Sequence, residues 1–129
     1  MANLQFIAPS FIVSNIKTAI SFYTEKLGFE IRFTDRESDD FFAIVGRDDV
    51  MIFLKAVAPE IKPVPNRTRH EYGPWDAYVS VNDPDTLYEE FAAKGVQFYA
   101  PLNNSGGLRG FEVVDADGYV LYFGKPVEH

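Results

Sequence analysis

Val13 closes an apolar, alternating run, "APSFIV", and 68 residues later Val81 closes another, "DAYVSV". Repetition at a fixed offset restricts a chain more than any local pattern, because each copy has to be one supersecondary unit that buries its apolar face against the other. A helical period follows each run: Ile16, Ala19, Ile20, Tyr23 and Leu27 in the first copy, Leu87, Tyr88, Phe91 and Ala92 in the second. Ser14 or Asn15 can cap the first helix and Gly28 can end it, while Asp83 with Pro84 opens the second and Gly95 closes it. After each helix comes a strand, "FEIRF" or "VQFYA", and then a strand pair across a turn: "FFAIV", "GRDD", "VMIFLKA" against "GFEVV", "DADG", "YVLYFG". Phe42 matches Phe111 and Phe53 matches Tyr122, both at an offset of 69. Each half reads βαβββ. The expected fold class is α+β, with two βαβββ modules forming a curved, incompletely closed eight-stranded barrel and the helices outside.

In a chain of 129 residues, 47% of them apolar, two such halves are too small to stand apart and are expected to share one core as a single domain. Module 1 covers about 4–57, a connection 58–74, and module 2 about 75–125. The connection, "APEIKPVPNRTRHEYGP", holds four of the eight prolines and reads as extended chain. A net charge of -7 and a single short basic cluster, Lys62, Arg67, Arg69 and His70, leave no stripe for phosphate contacts, so no nucleic-acid partner is expected. An acidic field suits a cationic small molecule, or simply a soluble protein. The absence of cysteine removes disulfides, thiolate metal sites and a cysteine nucleophile and suits a reducing compartment. With no apolar run long enough for a membrane, the expected location is cytoplasmic.

Side chains alternate across a strand, so each strand divides into two sets. Phe11, Val13, Ile52, Leu54, Val79, Val81, Leu121 and Phe123 make one apolar face, suited to pack under the helices. Ala8, Ser10, Ile12, Met51, Phe53, Asp76, Tyr78, Ser80, Val120 and Tyr122 make the other, where aromatics mix with single polar groups. Such a mixture is typical of a concave ligand site. It is equally compatible with a second packed interface in which a backbone donor satisfies Asp76.

The stretches "FIVSNIKTAISFYTEKLGFEIRF" and "DADGYVLYF" resemble the vicinal oxygen chelate superfamily, which includes glyoxalase I, ring-cleaving dioxygenases, and fosfomycin and bleomycin resistance proteins. The signature is Phe22, Tyr23, Leu27, Gly28 and Phe29 followed by a D…DG strand turn. Pro9, "DDFFAIV", "RDDVMIFLKAV" and "LYEEF" make the chain most similar to bleomycin resistance proteins. That resemblance implies metal-ligand positions at Ala8, Phe53, Asp76 and Tyr122. Alanine and phenylalanine donate no lone pair and an un-ionised tyrosine is a poor ligand, so no metal and no cofactor is expected.

The resemblance implies a protein that sequesters a flat, possibly cationic small molecule in an aromatic groove. The candidate ligand-binding residues are Phe42, Phe53, Trp75, Asp76, Tyr78, Arg109, Phe111 and Tyr122. Phe42 matches the phenylalanine that the resemblance places in the drug groove. The family's Trp-Gly-Arg segment reads Gly107-Leu108-Arg109, so that tryptophan stacker is missing. The alternative is a cofactor-free lyase or isomerase with Asp76 as base and Tyr122 or Arg109 polarising an oxyanion. His70 reads as a solvated loop residue or, less readily, as a base. "NNSGGLRG" suggests a flexible lip to the groove. The resemblance also implies a homodimer with the N-terminal strand exchanged near Pro9. A proline starting an edge strand would look the same.

Overall fold

The computed structural model describes residues 2–35 and 41–127. Its order is β1 (Ser10–Ile12), α1 (Ile16–Ser21), β2 (Glu30–Thr34), β3 (Phe42–Arg47), β4 (Val50–Lys55), β5 (Ala77–Ser80), α2 (Pro84–Ala93), β6 (Phe98–Ser105), β7 (Leu108–Val114) and β8 (Val120–Pro126). The strands form two four-stranded sheets, β1-β4-β3-β2 and β5-β8-β7-β6. In each, the first strand runs parallel to the last and the others are antiparallel. This is the α+β, two-module arrangement expected from the repeat, and among the described residues no strand of one sheet pairs with the other.

Local chemistry sets the helix ends. The Asn15 side chain accepts the Thr18 N–H at 2.9 Å and so caps α1. Asp83 does the same for Thr86, and Pro84 supplies a first turn with no N–H to satisfy. The first helix differs from a uniform helix through Leu27: after Ser21 it widens into a π turn over Phe22–Lys26. There the Thr24 hydroxyl donates to the Ile20 carbonyl at 2.8 Å, competing with the backbone ladder. Gly28, at φ 71°, then turns the chain toward β2.

Phe11, Val13, Ile52, Leu54, Leu121 and Phe123 are buried as the alternation requires, in one apolar cluster with Tyr23, Leu27, Phe91 and Phe111. The modules meet along two seams that the repeat makes equivalent. In the first, α1 and β1 pack on the β7–β8 turn: Tyr119 stacks on Phe11, its hydroxyl donates to the Ile12 carbonyl, and the Tyr23 hydroxyl donates to Asp115 at 2.7 Å. In the second, α2 and β5 face the β3–β4 turn, tied by Arg47 to Glu90 at 2.8 Å.

Two expectations change. The stretch from Asn103 to Gly110 is no loose lip, since β6 and β7 are joined by a tight hairpin with Ser105 opposite Leu108. Gly106 and Gly107 both have positive φ, 59° and 82°, as a two-residue hairpin turn needs. The pairing of Phe42 with Phe111 is also off by one. Phe42 lies opposite Lys55, and Gly110 lies opposite Gly124, so the true partner of Phe42 is Gly110, 68 residues on. The extra residue of module 2 sits in the turn before β8, and a one-residue slip moves a side chain to the other face.

Candidate functional site

The sheet face turned away from the helices carries aromatics in both modules. On the β5–β8 sheet the Trp75 and Tyr122 rings lie 4.2 Å apart between centroids, and Tyr78 stacks on Tyr122 at 5.5 Å and 12°. Tyr122 lies along the sheet because Gly110 and Gly124 flank it. A Cβ on Gly110 would come within 2.6 Å of the Tyr122 hydroxyl, and one on Gly124 within 2.5 Å of its ring. Three rings thus form a platform. The Trp75 indole N–H donates to the Glu112 carboxylate at 3.0 Å. Burial raises the pKa of Glu112, with the Trp75 bond opposing, and burial followed by the nearby Tyr78 and Glu112 raises that of Tyr122.

On the β1–β4 sheet, Phe42 sits edge-on to Phe53 at 5.6 Å and near Phe33 at 5.9 Å. Ile31, Phe33, Phe41 and Phe42 border an open groove of about 710 Å³. Asp39 and Asp40, which precede these phenylalanines in the resemblance, lie outside the described residues, as does His129.

The candidates therefore fall into separate groups. Trp75, Tyr78 and Tyr122 come together, and so do Phe42 and Phe53. Phe111 does not join them: it is buried between Phe91 and Phe123 on the helix side of β7, as the corrected register demands. Arg109, two residues earlier on the same side, binds Asp85 of α2 through two nitrogens, at 2.8 and 2.7 Å. Asp76 has both oxygens occupied, Oδ1 by the Asn66 N–H and Oδ2 by the Val120 N–H, each at 2.8 Å. It staples the connection to the start of β8. His70 is exposed, and its Nδ1 accepts the Tyr72 N–H at 3.1 Å.

Glu112 was not among the sequence candidates. Its signal was the alternation of β7, which places it beside Tyr122 once the register is right. The metal positions implied by the resemblance do not fit an ion: Ala8 and Phe53 offer no donor, and Asp76 is engaged by backbone amides. Among the described residues no three His, Asp or Glu side chains are placed to share a metal ion, and no helix is long and apolar enough to cross a membrane.

The model of the Glyoxalase/Bleomycin resistance protein/Dioxygenase superfamily matches residues 4–123. A bleomycin-binding protein from Streptomyces verticillus, solved with copper(II)-bleomycin, is 27% identical, with a TM-score of 0.71 over 99% of this chain and 100% of that one. An antibiotic-binding protein from Streptomyces sp. CB03234, at 22% identity and a TM-score of 0.73 over 98% and 99%, shares the fold. So does a bleomycin resistance determinant encoded on the transposon Tn5, at 22% and 0.71 over 97% and 100%. No curated protein matches the chain.

Proposed function

The chain belongs to the Glyoxalase/Bleomycin resistance protein/Dioxygenase superfamily, and from that premise we propose that it binds a flat, cationic small molecule in an aromatic groove without a metal. One observation carries this reading: the Trp75–Tyr122–Tyr78 platform with the Glu112 carboxylate at its edge. A planar ring gains stacking area there, each well-packed aromatic contact adding about 0.5–1.5 kcal/mol beyond the area it buries. A positive charge on the ligand is drawn to the ring faces and to Glu112. The bleomycin-binding likeness supports a ligand of the antibiotic type, while Gly107 in place of the family's groove tryptophan argues for one other than bleomycin.

The groove is completed, on this reading, by a second copy. Phe33, Phe41 and Tyr78 are exposed on these aromatic faces, Tyr122 lies buried against Trp75 at 6% exposure, and Leu4 and Ile7 ahead of β1 are each 95% exposed. A homodimer that sets the Phe42–Phe53 face of one chain against the Trp75 platform of its partner would cover them, with the residues before Pro9 crossing over. The lack of cysteine suits the cytoplasm. The alternative, a cofactor-free lyase or isomerase with Asp76 as base, would have to use a carboxylate that already accepts one backbone N–H on each oxygen, which favours the binding reading.

Thermal-shift screening with bleomycin-type drugs, planar cationic aromatics and divalent metals tests the proposal. A ligand at a hundred times its Kd stabilises by about 2.7 kcal/mol, a shift on the order of 10 °C here. A planar cation is expected to raise the Tm of the wild-type protein and to do so less for Glu112→Gln. Stabilisation by metals alone would overturn it.

A further inference from the structure

The two seams between the modules are equivalent by the repeat but are not equally filled. In the first, Phe11 and Tyr119 stack with centroids 4.3 Å apart and planes 10° from parallel. Their counterparts in the second are Val79, 68 residues after Phe11, and Val50, 69 before Tyr119. Two aromatic rings are replaced by two isopropyl groups, and the second seam holds a cavity of about 360 Å³. A volume of this size lies within the range of small-molecule sites.

The walls of this cavity specify an occupant. Its floor is Phe29, Val50, Val79, Phe91 and Phe123, and of these Phe91 and Phe123 are at most 2% exposed. Its charged rim is Asp48, Asp49, Asp83 and Arg47. Arg47 is committed to Glu90 through two nitrogens and Asp83 caps α2, while Asp48 and Asp49 stand on the β3–β4 turn, where the Arg32 guanidinium donates to the Asp48 carbonyl at 2.9 Å. Lys125 acts on Asp83 from the neighbouring strand end. The corresponding turn of the first seam also carries a carboxylate, Asp117, which accepts the Ser14 N–H at 3.0 Å. A cavity with an apolar floor, Ser80 and Asn82 in its wall and carboxylates at its mouth can take an aromatic ring bearing an alkylammonium arm.

We propose that the seam between the β3–β4 turn and the β5–α2 corner is a second small-molecule site, selective for arylalkylammonium compounds and separate from the aromatic groove. The ring occupies the space that Phe11 and Tyr119 fill in the other seam. The ammonium meets Asp48 and Asp49.

Amide NMR titration with 2-phenylethylammonium, 2-phenylethanol and 3-phenylpropanoate tests this. Saturable shifts are expected at Val50, Val79 and Asn82, with Trp75 fluorescence unchanged. The ammonium should bind at least about threefold more tightly than the alcohol, and the carboxylate most weakly. Val50→Tyr, which rebuilds the first seam's filling, should abolish these shifts. Should that variant not fold, Asp48→Asn with Asp49→Asn, both at exposed positions, should erase the preference for the ammonium over the alcohol. Shifts absent from the seam, shifts unaltered in Val50→Tyr, equal binding of the carboxylate, or quenching of Trp75 in place of seam shifts would each overturn the proposal.

Discussion

At the scale of the residue, the platform depends on what two glycines lack. Tyr122 can lie along the sheet only because Gly110 and Gly124 carry no Cβ beside it. Gly124→Ala would place a methyl group against the ring and the Arg109 carbonyl, so it is expected to destabilise by about 1–3 kcal/mol through overpacking. Urea unfolding checks the cost, and Trp75 fluorescence should change as its neighbour is displaced. These glycines also explain why one candidate was misplaced. Identity of side chain suggested Phe42 with Phe111, but the repeat conserves ladder position, and the residue answering Phe42 is Gly110. The slip hid Glu112 as well, since a glutamate is read as groove-facing only when its neighbours Phe111 and Val113 are recognised as core. Asp76 was legible as the polar group on the face, whereas its two amide partners come from Asn66 in an irregular connection and from Val120, 44 residues away.

At the scale of the element, the seams hold the modules together with different chemistry. In the first, the Asp115 carboxylate accepts the Tyr23 hydroxyl and the N–H groups of Asp117 and Tyr119. Burial outweighs those three bonds and raises the Asp115 pKa from 3.8 to about 6. Tyr23, pushed far up by its own burial and then by Asp115, keeps its proton and remains the donor. The folded state thus holds the Asp115 proton more tightly than the unfolded chain does. Its stabilising contribution is complete below pH 3.8 and is lost as pH rises through about 6. The amount at stake is about 3 kcal/mol. Asp115→Asn does not titrate, so the stability difference between variant and wild type should move in the variant's favour across this window. Parallel profiles from denaturant unfolding at stepped pH would contradict this. Strand and helix types were readable from period and caps. The π turn and the β6–β7 hairpin were not, because the first depends on Thr24 bonding back to Ile20 and the second on a turn inside a polar stretch with no apolar alternation.

At the scale of the whole molecule, the repeat set the architecture, and its two sheets carry aromatic clusters on the side away from the helices, with Phe33, Phe41 and Tyr78 exposed. Exposed apolar faces of this kind in a single copy point to an interface. Light scattering at micromolar concentration is expected to report a dimer, and removal of residues 2–8 to weaken it. A monomer in the full chain would contradict that arrangement while leaving the platform itself intact.

On the proposed reading, the ligand is captured by ring contacts without a metal. Trp75 is the only tryptophan in the sequence and lies in the platform, so its emission reports directly on that surface. Titration of a planar aromatic cation in the presence of EDTA should quench it saturably in the wild-type protein and far less in Tyr122→Ala. Quenching that appears only after a stoichiometric divalent metal is added, or that is equally strong in Tyr122→Ala, would contradict the account.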